Sequence, residues 1–315
     1  MPAVPTPARR RLSGTAGATL VVALLVPLGV LARREPPAPG AAAQPGPVAV
    51  LHAAAEAAER SAPPVLRPGE TRYVAVHRST LESVPAGRGR TLAVRNDTLT
   101  EEWIPADRHD EWLQRVRDAA PPQIWDDRSR TFVDDDPAPV TEWRGRCGSY
   151  FARRTQDPCR RPGLWQDPTP QFIATLPADP AELLARLRAS APDGGFRDQE
   201  ALLGAAQALE RDLLPPPVRA RIYRALALLP GLTVTGRRAV PHGRPGTALG
   251  LDHAGTRAEL VIDPANGVYL GRTRSLTAPH DGLSAGTVTD AAALTTGIAP
   301  GLGEPPRQLR RSDRS

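Results

Sequence analysis

"TRAELVIDPANGVYLGRTR", residues 256–274, is a strand, a turn and a returning strand. Ala258, Leu260 and Ile262 alternate with Arg257, Glu259 and Val261, the period of a strand with one covered face. "DPANG" (263–267) ends in Asn-Gly, a pair that accepts the left-handed backbone a tight hairpin needs, and Val268-Tyr269-Leu270 begins the return. Around this hairpin the same signal repeats. "GLTVTGRRAV" (231–240), "GTALGLDHAG" (246–255) and an extended run over 286–298 predict further strands. Upstream, "TRYVAVHR" (71–78), "RTLAVRNDT" (90–98) and "VTEWRG" (140–145) read as strands separated by Gly, Pro and Asp clusters. The polar region 106–137 reads as exposed excursions from the sheet. Its Asp134, Asp135 and Asp136 lack the spacing of an EF-hand loop and read as a solvated turn.

Helices complete the pattern. "VAVLHAAAEAAERSA" (48–62) is Ala-rich, and helices are expected at 179–190 and 198–214. Asp179-Pro180-Ala181-Glu182 places a capping Asp, a proline at the first helical position and a Glu at the third. In the helix at 217–229, Val218, Ile222, Ala225, Leu226 and Leu229 fall within an arc of about 100°. Arg219, Arg221 and Arg224 flank that arc on both sides, as solvated or snorkelling edges of a packed helix. The fold class is therefore α+β, an antiparallel sheet packed with helices.

A further helix precedes it. Leu12–Ala32 contains no charged side chain, long enough at ~1.5 Å per residue to cross about one bilayer core. Arg9, Arg10 and Arg11 before it predict a cytoplasmic N-terminus and an extracytoplasmic body. Arg33-Arg34 directly after the run favour an uncleaved anchor; a cleaved signal peptide would use Ala41-Ala42-Ala43, about ten residues further on. The expected organisation is a short cytoplasmic segment 1–11, a transmembrane anchor or signal segment 12–32, a Pro/Ala-rich linker 33–47, an extracytoplasmic domain 48–300 and a disordered basic tail 301–315. With five prolines in its last thirteen residues, the linker is an extended spacer.

The net charge of +6 does not indicate a nucleic-acid surface. Residues 1–34 carry +5 and the tail from Glu304 carries +2, so the body between them is at −1. All 40 basic side chains are Arg, which with 36 prolines and 27 glycines reads as the codon bias of a GC-rich, actinobacterial genome. The two cysteines, Cys147 and Cys159, have eleven residues between them. In an exported chain such a pair predicts a disulfide, whose loop closure contributes about 3 kcal/mol. Cys147-Gly148-Ser149 partly matches a papain-type nucleophile signature but lacks its second Cys and its Trp.

No catalytic motif stands out: there is no G-x-S-x-G, H-E-x-x-H, Walker or dinucleotide glycine pattern. His52, His77, His109, His242, His253 and His280 are scattered without ligand spacing, and Asp107, His109, Asp110 and Glu111 read as a solvated turn. No catalytic, cofactor-binding or metal-ligating residue is expected.

Three segments carry a resemblance. "DPAELLARLRA" (179–189), "LLPPPVRARIYRALALLPGLTV" (213–234) and "ELVIDPANGVYLG" (259–271) resemble the C-terminal half of an actinobacterial membrane-anchored family of unknown function, often encoded beside extracytoplasmic-function sigma factors. The resemblance covers about residues 48–300 and is firmest over 175–275. By fold analogy it implies a curved antiparallel sheet packed with helices, a half-barrel like that of lipoprotein carriers and of periplasmic regulators of anti-sigma factors. Members usually have a longer cytoplasmic segment than the eleven residues here, and the cysteine pair is not general among them. The expected function is a non-enzymatic extracytoplasmic sensing or binding domain, for a lipid-like ligand in the concave face of the sheet or for an envelope protein. A structural envelope protein is the alternative, ahead of a hydrolase.

Overall fold

The computed structural model describes residues 45–85, 91–124, 139–151, 156–192 and 196–309. The expected cytoplasmic segment 1–11, the expected anchor or signal segment 12–32, nearly all of the expected linker, Asp134–Asp136 and residues 310–315 of the expected tail lie outside the described residues. Among those described, no helix is long and apolar enough to cross a membrane.

The chain runs α1 (Pro47–Arg60), β1 (Thr71–Pro85), β2 (Thr91–Pro105), β3 (Glu111–Ile124), β4 (Thr141–Arg146), α2 (Pro170–Ala174), α3 (Pro180–Ala189), α4 (Arg197–Glu210), α5 (Pro216–Leu226), β5 (Thr233–Ala239), β6 (Pro245–His253), β7 (Thr256–Asp263), β8 (Val268–Leu276), β9 (Val288–Ala299) and β10 (Gln308–Leu309). One sheet holds all the strands in the order β4-β3-β2-β1-β9-β8-β7-β6-β5, with β10 paired to β9, and every pairing is antiparallel. The α+β class and the antiparallel sheet agree with the sequence pattern.

The 256–276 hairpin forms as its turn residues require: Asn266 Oδ1 accepts from Val268 N, and Gly267 sits at φ +64°. Its setting is richer than the pattern suggested, because β7 is covered on both faces. Ala258, Leu260 and Ile262 join the core under the helices, while Val261 packs on the opposite face with Val240, Ala248, Leu270 and Ala293. The cover comes from the β5–β6 corner, which folds Val240 back over the sheet.

A bulge shapes β8. Val261 pairs with Gly271 and Ile262 with Tyr269, so Leu270 is the extra residue. Before the bulge, Tyr269 faces the helices; after it, Arg272 does. An arginine thereby enters the interface between sheet and helices, where the Arg272 Nε donates to Glu210 Oε1 of α4 at 2.6 Å.

The helix α5 is a structural rib. Val218, Ile222, Ala225 and Leu226 are buried as the stripe predicted, and the Tyr223 hydroxyl donates to Gly267 O at 3.1 Å, clasping the hairpin tip. The flanking arginines differ from expectation. They are clamps rather than solvated edges: Arg219 donates to Ser61 Oγ at 2.7 Å, Arg221 to Pro177 O at 3.0 Å, and Arg224 grips Glu59 of α1 through two bonds of 2.6 and 2.8 Å. Arg219 is more enclosed than Arg224, with a side chain 14% exposed beside Asp212, which Arg72 also engages. Arg219→Ala is expected to cost about 1–2 kcal/mol in urea unfolding. A smaller loss is expected from Arg224→Ala, whose partner is half-exposed. Equal, negligible losses would restore the solvated reading.

Two regions correct the sequence pattern. Residues 111–124, taken as an excursion, form β3 with Trp112 and Leu113 buried. Its polar positions are satisfied across strands: Arg115 pairs with Glu142, Arg117 with Glu101, and Gln114 Nε2 donates to Glu102 Oε1. A strand stitched by ion pairs has too few apolar residues to announce itself. Residues 301–309, expected to fray, run back over the sheet instead. Trp103 Nε1 donates to Glu304 O at 2.6 Å, Leu302 packs beside Trp103 and Leu113, and β10 adds to β9.

Candidate functional site

A ligand was expected in the concave face of the sheet; on the face that bears the helices, α1, α4 and α5 fill most of the space with core side chains. The space left there is about 350 Å³ between β1–β2 and the C-terminal end of α4. Its walls join Val74 and Val76 of β1 to four charged side chains, Arg78, Glu102, Glu210 and Arg211. All four are engaged: Arg78 with Glu210 at 2.9 Å, and Arg211 with Glu102 at 2.9 Å. Glu102 also accepts from the Tyr150 hydroxyl, and Glu210 from Tyr269, whose phenol burial and the neighbouring carboxylate push well above its usual range.

A larger cleft, about 590 Å³, opens on the opposite face against β5, β7 and β8. Val240, Val261, Leu276 and Val288 supply apolar walls, with Arg238 and Arg257 beside them. The Glu259 carboxylate in this cleft is almost fully buried. It accepts from Thr235 Oγ1 (2.6 Å) and Thr273 Oγ1 (3.0 Å) and pairs with Arg238 at 3.3 Å. Arg257 is held by Asp252 through bonds of 2.5 and 2.6 Å, while Arg238 is half-exposed and faces outward. The volume falls in the range of small-molecule sites, and an apolar wall with a few convergent polar groups is their usual lining.

Next to the cleft walls Val240 and Pro241 comes His242, stacked on His77 of β1 with ring centroids 3.7 Å apart and planes 9° from parallel. The buried carboxylate of Asp97 completes the group. Burial first, and then His242 and Arg117, hold the His77 pKa below the usual imidazole range, with Asp97 opposing them. The three residues lie far apart in sequence, and only the sheet brings them together. His77 is opposite Leu99 while Asp97 is opposite Ser79, so the two are diagonal neighbours on one face.

Cys147 and Cys159 form a disulfide with a Cα–Cα distance of 5.2 Å. The exposed turn carrying Asp107, His109 and Asp110 packs against it: Cys147 N donates to Asp110 O, and His109 Nδ1 lies 3.8 Å from Cys147 Sγ. With both sulfurs in the bridge, this group has neither a thiolate nucleophile nor a thiolate ligand. Of the remaining histidines, His253 stacks on Phe196.

No family model, curated protein or solved structure matches the chain.

Proposed function

We propose that this chain is a membrane-anchored extracytoplasmic binding or sensing domain, non-enzymatic, that holds an amphiphilic envelope molecule in the 590 Å³ cleft. Its sheet and helices are read as a half-barrel of the lipoprotein-carrier kind, and its family as the actinobacterial membrane-anchored one that its C-terminal half resembles. The observation that carries the proposal is the cleft lining. Val261, Leu276 and Val288 offer an apolar bed, and the half-exposed Arg238 offers a cation at which an anionic head would replace or join Glu259. Glu259 is already saturated by two hydroxyls and a guanidinium, an arrangement that suits holding a ligand better than activating water. The disulfide supports an oxidising location, and the uncharged run behind three arginines supports the anchor.

The test is native mass spectrometry of the full-length chain purified from its own membranes in mild detergent. A co-purifying amphiphile is expected on the unaltered protein. Val288→Trp, which fills the cleft from a half-buried position, is expected to remove most of it, and Arg238→Glu to weaken retention of an anionic one. Equal loading on all three proteins, or no bound molecule on any, would overturn the proposal.

A further inference from the structure

We infer that His77, Asp97 and His242 form a binding site for a first-row divalent transition-metal ion. The ligand atoms of the three side chains all lie within 4.8 Å of one another. Two imidazoles and one carboxylate are a donor set suited to Zn²⁺ and its neighbours, and too rich in nitrogen for Mg²⁺ or Ca²⁺.

Independent observations point to an occupant. His77 Nε2 and Asp97 Oδ1 are both shielded from solvent, and neither has a hydrogen-bond partner among the described residues. Buried polar atoms are nearly always satisfied, so two orphans within one three-residue cluster call for a partner. A cation answers both, since each atom offers a lone pair. Asp97 supplies one negative charge. Arg117, a cation that acts on His77, is itself paired with Glu101 at 3.4 Å.

The framework is rigid where a site needs rigidity. His77 lies mid-strand between Leu99 and Ala293, and Asp97 sits at an irregularity in the β2–β3 pairing. His242 is delivered by a corner that Val240 plugs into the sheet, closed by Gly243 N donating to Val240 O at 2.9 Å. The residue at the tip of that corner has φ +62°, a sparsely populated conformation that glycine would adopt freely, yet an imidazole stands there. The stacked rings are nearly parallel, so sharing an ion requires one ring to turn, and the exposed His242 is the ring placed to do so. Its exposure also leaves open coordination positions for water or for a ligand entering from the cleft that Val240 and Pro241 line. The inference rests on residues outside the proposed amphiphile contacts and stands or falls separately from that reading.

The experiment is calorimetric titration of Zn²⁺ into the untagged, oxidised full-length chain in detergent, with Co²⁺ absorption as a second readout. One equivalent is expected to bind with Kd of about 1 µM or tighter. His242→Asn keeps a residue that tolerates the left-handed backbone. It is expected to weaken binding at least about 100-fold, the upper end of what losing an outer-shell partner costs. Asp97→Asn should do the same, with the Co²⁺ band lost in both and far-UV circular dichroism unchanged. His280→Asn, at an exposed position elsewhere, should bind as the unaltered chain does. Absence of saturable binding, or equal binding by the His242→Asn protein, overturns the inference.

Discussion

Arg272→Met is expected to lower the unfolding free energy by about 3–5 kcal/mol. Arg272 and Glu210 are each at most 7% exposed in their side chains, and their 2.6 Å contact lies between β8 and α4. Arg272 also engages Asp290 of β9, so its removal strips a cation from two carboxylates at once. Glu210 would keep Tyr269 and the partly exposed Arg78, which is too little compensation for a carboxylate held away from water. Adding Glu210→Leu to the variant should recover part of the loss, because it removes the stranded charge that the single change creates. Urea unfolding with an unchanged m-value is the measurement. A loss under about 1 kcal/mol for Arg272→Met would mean that water reaches Glu210 and that the pair behaves as a surface one.

The second large effect is expected at the hairpin tip. Gly267→Ala places a β-carbon 2.5 Å from Ala54 O and Ala58 N, and 2.9 Å from Ala58 Cα, all backbone atoms of α1. A side chain could swing aside; a helix backbone has to move as a unit. The left-handed conformation adds about 1–2 kcal/mol for a residue with a β-carbon, and the overpacking adds about 1–3 more, for a total of roughly 2–5 kcal/mol. Gly282 provides the control. It has φ +79° and nothing within 4 Å of an added β-carbon, so Gly282→Ala bears the conformational cost alone. Unfolding midpoints that shift equally in the two variants would show that α1 yields, and would sink the claim that the hairpin tip is wedged beneath it.

These two sites show how the amino-acid order and the fold divide the work. The hairpin at 256–276 and the apolar stripe of α5 were legible because each depends on local periodicity and on turn residues a few positions apart. The helix cap at Asp179 was legible for the same reason, and its carboxylate accepts from Ala181 N and Glu182 N as expected. The Asn-Gly turn explained why residue 267 is glycine, but only in part. The backbone of α1 at Ala54 and Ala58, 209 residues away in sequence at its nearer end, presses on the same position.

The rest required the tertiary structure. β3 was hidden because it is held by cross-strand ion pairs and a Gln–Glu hydrogen bond whose partners lie 12–27 residues away. The burial of Arg272 depends on one extra residue in β8, which switches the face that every later side chain presents. The six histidines looked scattered because ligand spacing is a property of one helix or one loop, whereas His77, Asp97 and His242 come from two neighbouring strands and a distant corner. Local chemistry determined which elements form in this chain. Register, bulges and the folding of one corner over the sheet decided which side chains meet, because those depend on contacts between residues that no short stretch of sequence contains.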